Sequence, residues 1–414
     1  MDLLDSLCSN AQARSVVELS LNPHFKRDYN SLFKAIAEYQ PEQTSQDLAE
    51  LAAPYLPSLW KNKYRVLGVD FTSYPRPYAF KLSERESVYK PTPIKGQKPI
   101  TYGHQFLNIN QLSERLDRQA PAWAIPLHTQ RVNRANQEHL AVTLMRSLLQ
   151  NPKLPFHKDR CIQLGDSNFS TPAYLAAFQD KPNLITIVRS RSNRKYYFLA
   201  QVKTRSGRGH ADWYAHKMKL NDPRTLPPPE EEITFPQTTC KGQRQMVKIQ
   251  AWKNMVMRGK YKPVRLPMQN YPFTLVKVEV YNERNKLVFK RPLWLLVMGQ
   301  AQQQLSLEEI YAAFCGRSGM EHFFRFTKQN LLLDRFQTCE TEHEEHWWQI
   351  ANLAYLQLWV AKEYASCLPR PWEKHLPQVK EKKLSPTMVQ RSFGGIIHQF
   401  GTPAKSPQPR NHSP

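Results

Sequence analysis

The chain has 414 residues, with 58 Lys and Arg against 35 Asp and Glu, a formal charge of +23. So basic a protein is built to meet a polyanion, most often nucleic acid, through counterion release. Its longest apolar run, PLWLLVMG at 292–299, is far below the roughly 20 residues of a membrane-spanning helix, which excludes a helical span.

Hydrophobic residues make up 41% of the sequence, enough for a globular core, and the length allows two or three domains. Six cysteines, at 8, 161, 240, 315, 339 and 367, form no C-x-x-C pair. That usage fits a reducing compartment and argues against a disulfide framework or zinc ribbon. The start, MDLLDSLCSN, is acidic and lacks the basic flank of a signal peptide.

Residues 1–60 read as short helices: SVVELSLNPHFKRDYNSLFKAIAEYQ and SQDLAELAAPYL have helical apolar spacing and end at Pro-containing breaks. This is a small helical domain and a candidate for DNA binding. The texture then turns to β. KYRVLGVDFT (63–72), RPYAFKL (76–82), GHQFLNI (103–109) and AWAIPLHTQRV (122–132) read as extended segments, with Asp70 closing the first. NQEHLAVTLMRSLLQ (136–150) is a helix, RCIQLGD (160–166) a buried strand ending at Asp166, and LITIVRS (184–190) a strand. Between these two strands STPAYLAAFQ opens a helix with a capping residue and Pro172. Antiparallel strands followed by alternating β and α elements predict an α/β fold, a mixed sheet flanked by helices.

Residues 191–290 are basic, Pro-interrupted and short-stranded, with Lys and Arg interleaved with Tyr and Trp. They read as a β-rich insertion that divides one core into 61–190 and 291–366. The second part holds helical stretches at 306–316, 314–333 and 345–365. From 367 to 414 the chain is a basic, Pro-rich tail with one candidate helix, SPTMVQRSFGGIIHQF.

Three acids stand where chemistry can use them: Asp70 and Asp166 at strand ends, and Glu321 on a later helix. Arg317, Glu321 and Lys328 fall one and two turns apart, so they share a helical stripe. Converging carboxylates suit a hard divalent cation such as Mg²⁺. Two such ions roughly 4 Å apart can activate water on one side and stabilise a leaving oxygen on the other. The basic neighbours would then position phosphate. Each residue also has an ordinary reading. Ser318 and Glu321 fit a capping box, and Asp70 and Asp166 fit turn positions. CETEHEEH (339–346) offers Cys339, His343 and His346 as metal ligands, where a polar helix start is the simpler account.

Together these segments resemble insertion-sequence transposases of the DDE class, whose catalytic core is RNase H-like. Within that class the chain is similar to families marked by Y-(2)-R-(3)-E-(6)-K. Arg317, Glu321 and Lys328 keep the spacing, while Phe314 stands at the tyrosine position and Tyr311 lies one turn earlier. VLGVDFT resembles the strand of the first Asp, and IQLGDSNFS the strand and turn of the second. The resemblance covers about 61–366. It implies a five-stranded mixed sheet interrupted by a β-rich insertion, with Asp70, Asp166 and Glu321 holding Mg²⁺ or Mn²⁺. It also implies cleavage of double-stranded DNA at transposon ends, transfer of the freed 3′-end to target DNA, a homodimer in the active complex, and a bacterial cytoplasmic, nucleoid-associated location. In part of the family an insertion tryptophan stacks on a flipped base, and Trp213 and Trp252 are the candidates here. A catalytically inactive DNA-binding relative, and an RNase H-like nuclease outside transposition, are the alternatives.

Overall fold

The structure, a computed structural model, describes residues 1–40, 48–90, 96, 98–114, 121–200, 213–259, 266–367 and 384–406. Its elements in chain order begin with helices α1 (Asp2–Cys8), α2 (Tyr29–Ala37) and α3 (Leu48–Ala52). Strands β1 (Tyr64–Pro75), β2 (Glu86–Tyr89), β3 (Ile100–Leu112) and β4 (Ala124–Val132) follow. Then come α4 (Gln137–Gln150), β5 (Arg160–Gly165), α5 (Pro172–Ala176) and β6 (Leu184–Ser190). The insertion supplies β7 (Lys195–Leu199), β8 (Tyr214–Lys219), β9 (Glu231–Thr238), β10 (Arg244–Val256) and β11 (Phe273–Asn282). The chain returns through β12 (Leu293–Met298) to α6 (Leu307–Gly316), α7 (Ser318–Asn330), α8 (Thr341–Val360), α9 (Lys362–Cys367) and α10 (Pro386–Phe400).

Five strands make the core, side by side in the order β4, β3, β1, β5, β6. The first three pair antiparallel, and β1, β5 and β6 run parallel. That is the RNase H-like mixed sheet the sequence pattern implies. Parallel strands need crossovers, and the β5–β6 link carries α5, started by the Thr171 cap and Pro172 as read from the sequence. Phe71 of β1 stacks on Phe169 at 4.9 Å, and Phe169 in turn meets Tyr174 of α5, which covers one sheet face. The opposite face takes α7 and α8, where Trp348 stacks flat on Phe106 at 3.9 Å. Helix α8 is buried on most sides, as its apolar sequence requires.

One expectation needs correction. RPYAFKL forms no strand: β1 runs on to Pro75, the Arg76-Pro77 step then turns the chain, and Tyr78 and Phe80 are left exposed. The insertion has no sheet of its own. Its strands extend the core sheet through β12 paired with β6 and β11 paired with β12, giving one 12-stranded sheet. Among the described residues, helices α1 and α10 both join the common core. Helices as short as α1 have no core of their own, and Leu7, Cys8, Leu32 and Ile36 join the common core. Gln390 of α10 donates to the carbonyls of Leu7 and Asn330, so the tail's helix locks α1 to α7, whereas the rest of the basic tail lies largely outside the described residues.

Candidate active site

Asp70 lies in the middle of β1, not at its end, because the extended run continues and keeps pairing with β3 as far as Pro75 opposite Gly103. Its face of the strand also carries Gly68 and Thr72. At Gly68 a Cβ would come within 2.8 Å of the Met320 side chain, so the glycine lets α7 approach β1. Farther along α7, Lys328 donates from Nζ to Thr72 Oγ1 at 2.8 Å and to the Ser73 carbonyl at 2.9 Å. Burial holds the Lys328 ammonium below its ordinary pKa. These two contacts fix α7 along β1 and give Lys328 a tethering role.

The helix so placed brings Arg317 and Glu321 to Asp70. The Arg317 guanidinium donates from Nη2 to Asp70 Oδ2 at 2.6 Å, and its Nη1 lies 3.7 Å from Glu321 Oε1. Burial pushes the Asp70 carboxyl up to about 7. The Arg317 charge opposes that shift, and the negative charges of Asp166 and Glu321 add to it. The ion pair alone would keep Asp70 ionised, but loss of hydration outweighs it. Asp70, Asp166 and Glu321 therefore share one electrostatic neighbourhood.

Asp166 follows β5 directly. In the parallel register Gly68 faces Leu164. The pairing ends there, two residues short of each acid, and Asp166 caps the short 3-10 turn that follows β5. Its carboxylate accepts from the backbone and side-chain nitrogens of Asn168 at 2.8 and 3.2 Å. Asp166 is thus also the turn residue of its ordinary reading. Gly165 leaves room for Phe169, which a Cβ would meet at 2.9 Å. Glu321 does not fit its ordinary reading. The N-cap of α7 is Arg317 without a side-chain cap, and the capping box belongs to Ser306 and Glu309 of α6.

Sequence reasoning missed Asn108. It stands directly across from Asp70 on β3, fully buried, with no hydrogen-bond partner for either side-chain amide atom. A polar residue at an inward position of an apolar strand was the available signal. Tyr311, near the signature's tyrosine position, donates its hydroxyl to Gln237 of β9 at 3.3 Å, away from the acids. Trp252 is a core residue. It is 1% exposed, its indole nitrogen donates to the Pro227 carbonyl, and its ring packs on Trp294. Burial removes it as a base-stacking candidate. Trp213 is half-buried just ahead of β8 and next to Tyr214, whose ring, like that of Tyr197, lies under the Arg258 guanidinium, at 5.6 and 5.0 Å respectively. The Cys339, His343 and His346 set does not assemble: Cys339 is exposed, and His346 Nδ1 donates to the Ile36 carbonyl.

Among the described residues, no three His, Cys, Asp or Glu side chains gather at ligand spacing. Asp70, Asp166 and Glu321 nonetheless fit a hard divalent cation in kind, since all their donors are carboxylate oxygens. Arg317 is placed between two of them. Among the described residues no helix is long and apolar enough to cross a membrane. The chain matches the family model described as DDE superfamily endonuclease over residues 2–259. No curated protein sequence matches it.

Proposed function

The chain belongs to the DDE superfamily of endonucleases, and from that premise we propose that it is a transposase: it cuts double-stranded DNA at the ends of a mobile element and joins the freed 3′-end to target DNA. The observation that carries this reading is the contact of Arg317 with both Asp70 and Glu321 where α7 meets β1, with the charge of Asp166 near enough to raise the Asp70 carboxyl. Asp70, Asp166 and Glu321 hold Mg²⁺, with Mn²⁺ able to replace it. The bound ions would activate the attacking oxygen and stabilise the leaving 3′-oxygen.

The protein's own residues have separable tasks. Gly68 and Lys328 hold α7 at the depth that presents Glu321 beside Asp70. Arg317 supplies a planar cation that matches a phosphate bidentately. Arg258 with Tyr197 and Tyr214, together with Trp213, gives the insertion a cationic and aromatic surface for bases or backbone. No nucleophilic Ser or Tyr is needed, since water and the DNA 3′-hydroxyl are the attacking groups.

The test is cleavage of end-containing DNA with Mg²⁺, with and without chelator. Asp70→Ala, Asp166→Ala and Glu321→Gln should each abolish cleavage and leave binding intact, because one carboxylate barely alters the field of a chain at +23. Robust cleavage by Asp166→Ala, or cleavage by the wild type in chelator, overturns the reading. Cleavage without end joining would leave an endonuclease and remove the transposase.

A further inference from the structure

Arg317 meets the carboxylates in an incomplete way. Only Nη2 reaches Asp70, the second contact to Glu321 is long at 3.7 Å, and the Glu321 side chain is 65% exposed. The Arg317 Nε is buried with no hydrogen-bond partner. A guanidinium donates best through two neighbouring N–H groups to one planar or tetrahedral oxyanion. Once the guanidinium swings off Asp70 towards solvent, a DNA phosphate could take Nε and Nη2 together, which Asp70 does not do here.

Resting on the transposase reading above, we propose that Arg317 is an exchangeable counter-ion that couples metal loading to DNA binding. Without DNA its guanidinium neutralises Asp70 and partly Glu321, and so occupies the place of a divalent cation. When DNA arrives, a backbone phosphate takes the guanidinium through Nε and Nη2, and the two carboxylates are left for the metal. Metal is then bound strongly only where a DNA phosphate is already present. Coupling of this kind is reciprocal, so metal must tighten DNA binding by the factor by which DNA tightens metal binding.

The experiment is Mn²⁺ titration of the full chain by calorimetry or paramagnetic resonance, with and without a duplex of arbitrary sequence. In the wild type, DNA should tighten Mn²⁺ binding about ten-fold, the ordinary size of such a coupling. Arg317→Gln should bind Mn²⁺ about ten-fold more tightly without DNA, and DNA should add little further. Arg325→Gln, which removes an exposed charge from the same helix, controls for general field effects and should shift Mn²⁺ binding far less. If the wild type binds Mn²⁺ equally with and without DNA, the exchange is wrong whether or not Arg317→Gln folds. If Arg317→Gln binds Mn²⁺ no more tightly than the wild type, or Arg325→Gln matches it, the exchange is also wrong, and the metal site stands. If no form binds Mn²⁺ under any condition, the transposase reading falls, and this proposal falls with it.

Discussion

Asp70 carries the clearest pH signature in the molecule. Its carboxyl is raised to about 7 by burial in the metal-free protein, whereas an unfolded Asp titrates near 3.9. Between these values the folded state holds a proton that the unfolded state has lost. Stability from this group is therefore present at low pH and is lost as pH rises towards about 7. Asp70→Asn cannot ionise, so its melting temperature relative to wild type should rise between pH 5 and pH 8 in chelator; a constant difference would remove the assignment. Asn108 gives a second residue-scale expectation. Its buried amide has no partner, and a buried unsatisfied group costs about 1–3 kcal/mol. Asn108→Leu should unfold at higher denaturant yet cleave more slowly, because a group kept at such a cost beside Asp70 serves the site. Neither residue's state could be read from sequence. Asp70 and Asp166 were visible as acids near strand ends, but the desolvation of Asp70 and the orphan at Asn108 come from helix and strand surfaces meeting in three dimensions.

At the scale of elements, the helix-to-sheet joints explain what sequence could and could not tell. Periodicity located β5, β6, α4, α6 and α10 closely, because each is a short apolar run with its own cap or turn. It misplaced the strand at 76–82, where aromatic content imitated β-propensity on a loop whose backbone is turned at Arg76. It could not show that the Lys328 side chain spans to Thr72. Lys328→Met should loosen α7 and lower thermal stability as well as cleavage, and the loss should persist with short DNA fragments that reach only the acids. A second joint ties α8 to β3. Glu344 is fully buried, with His104 Nδ1 at 2.6 Å from Oε2 and Arg76 Nη1 at 3.3 Å from Oε1. Glu344→Ala strands two basic side chains, and denaturant melts should show a loss of about 3–5 kcal/mol. The tryptophans separate along the same line. Trp252→Ala should cost about 3–5 kcal/mol, while Trp213→Ala should cost much less and instead slow strand processing.

At the scale of the whole molecule the charge of +23 sets the first encounter with DNA. Binding of arbitrary duplex should fall linearly in log–log fashion with salt, with a slope of about −0.9 per phosphate contacted. Arg258→Gln should flatten that slope by about one unit without changing sequence preference, which fluorescence anisotropy at several salt concentrations would read.

The single sheet also fixes when the protein can exist during its own synthesis. Strand β6 waits for β12, and the carbonyl of Leu7 waits for Gln390, 383 positions later in the chain. Until α10 leaves the ribosome the core lacks Val389, Phe393 and the Gln390 bonds, and long-range pairing of this kind is slow. A product cut short at 259, where the family match ends, would carry Asp70 and Asp166 but expose the unpaired edge of β6 and the bare face meant for α8.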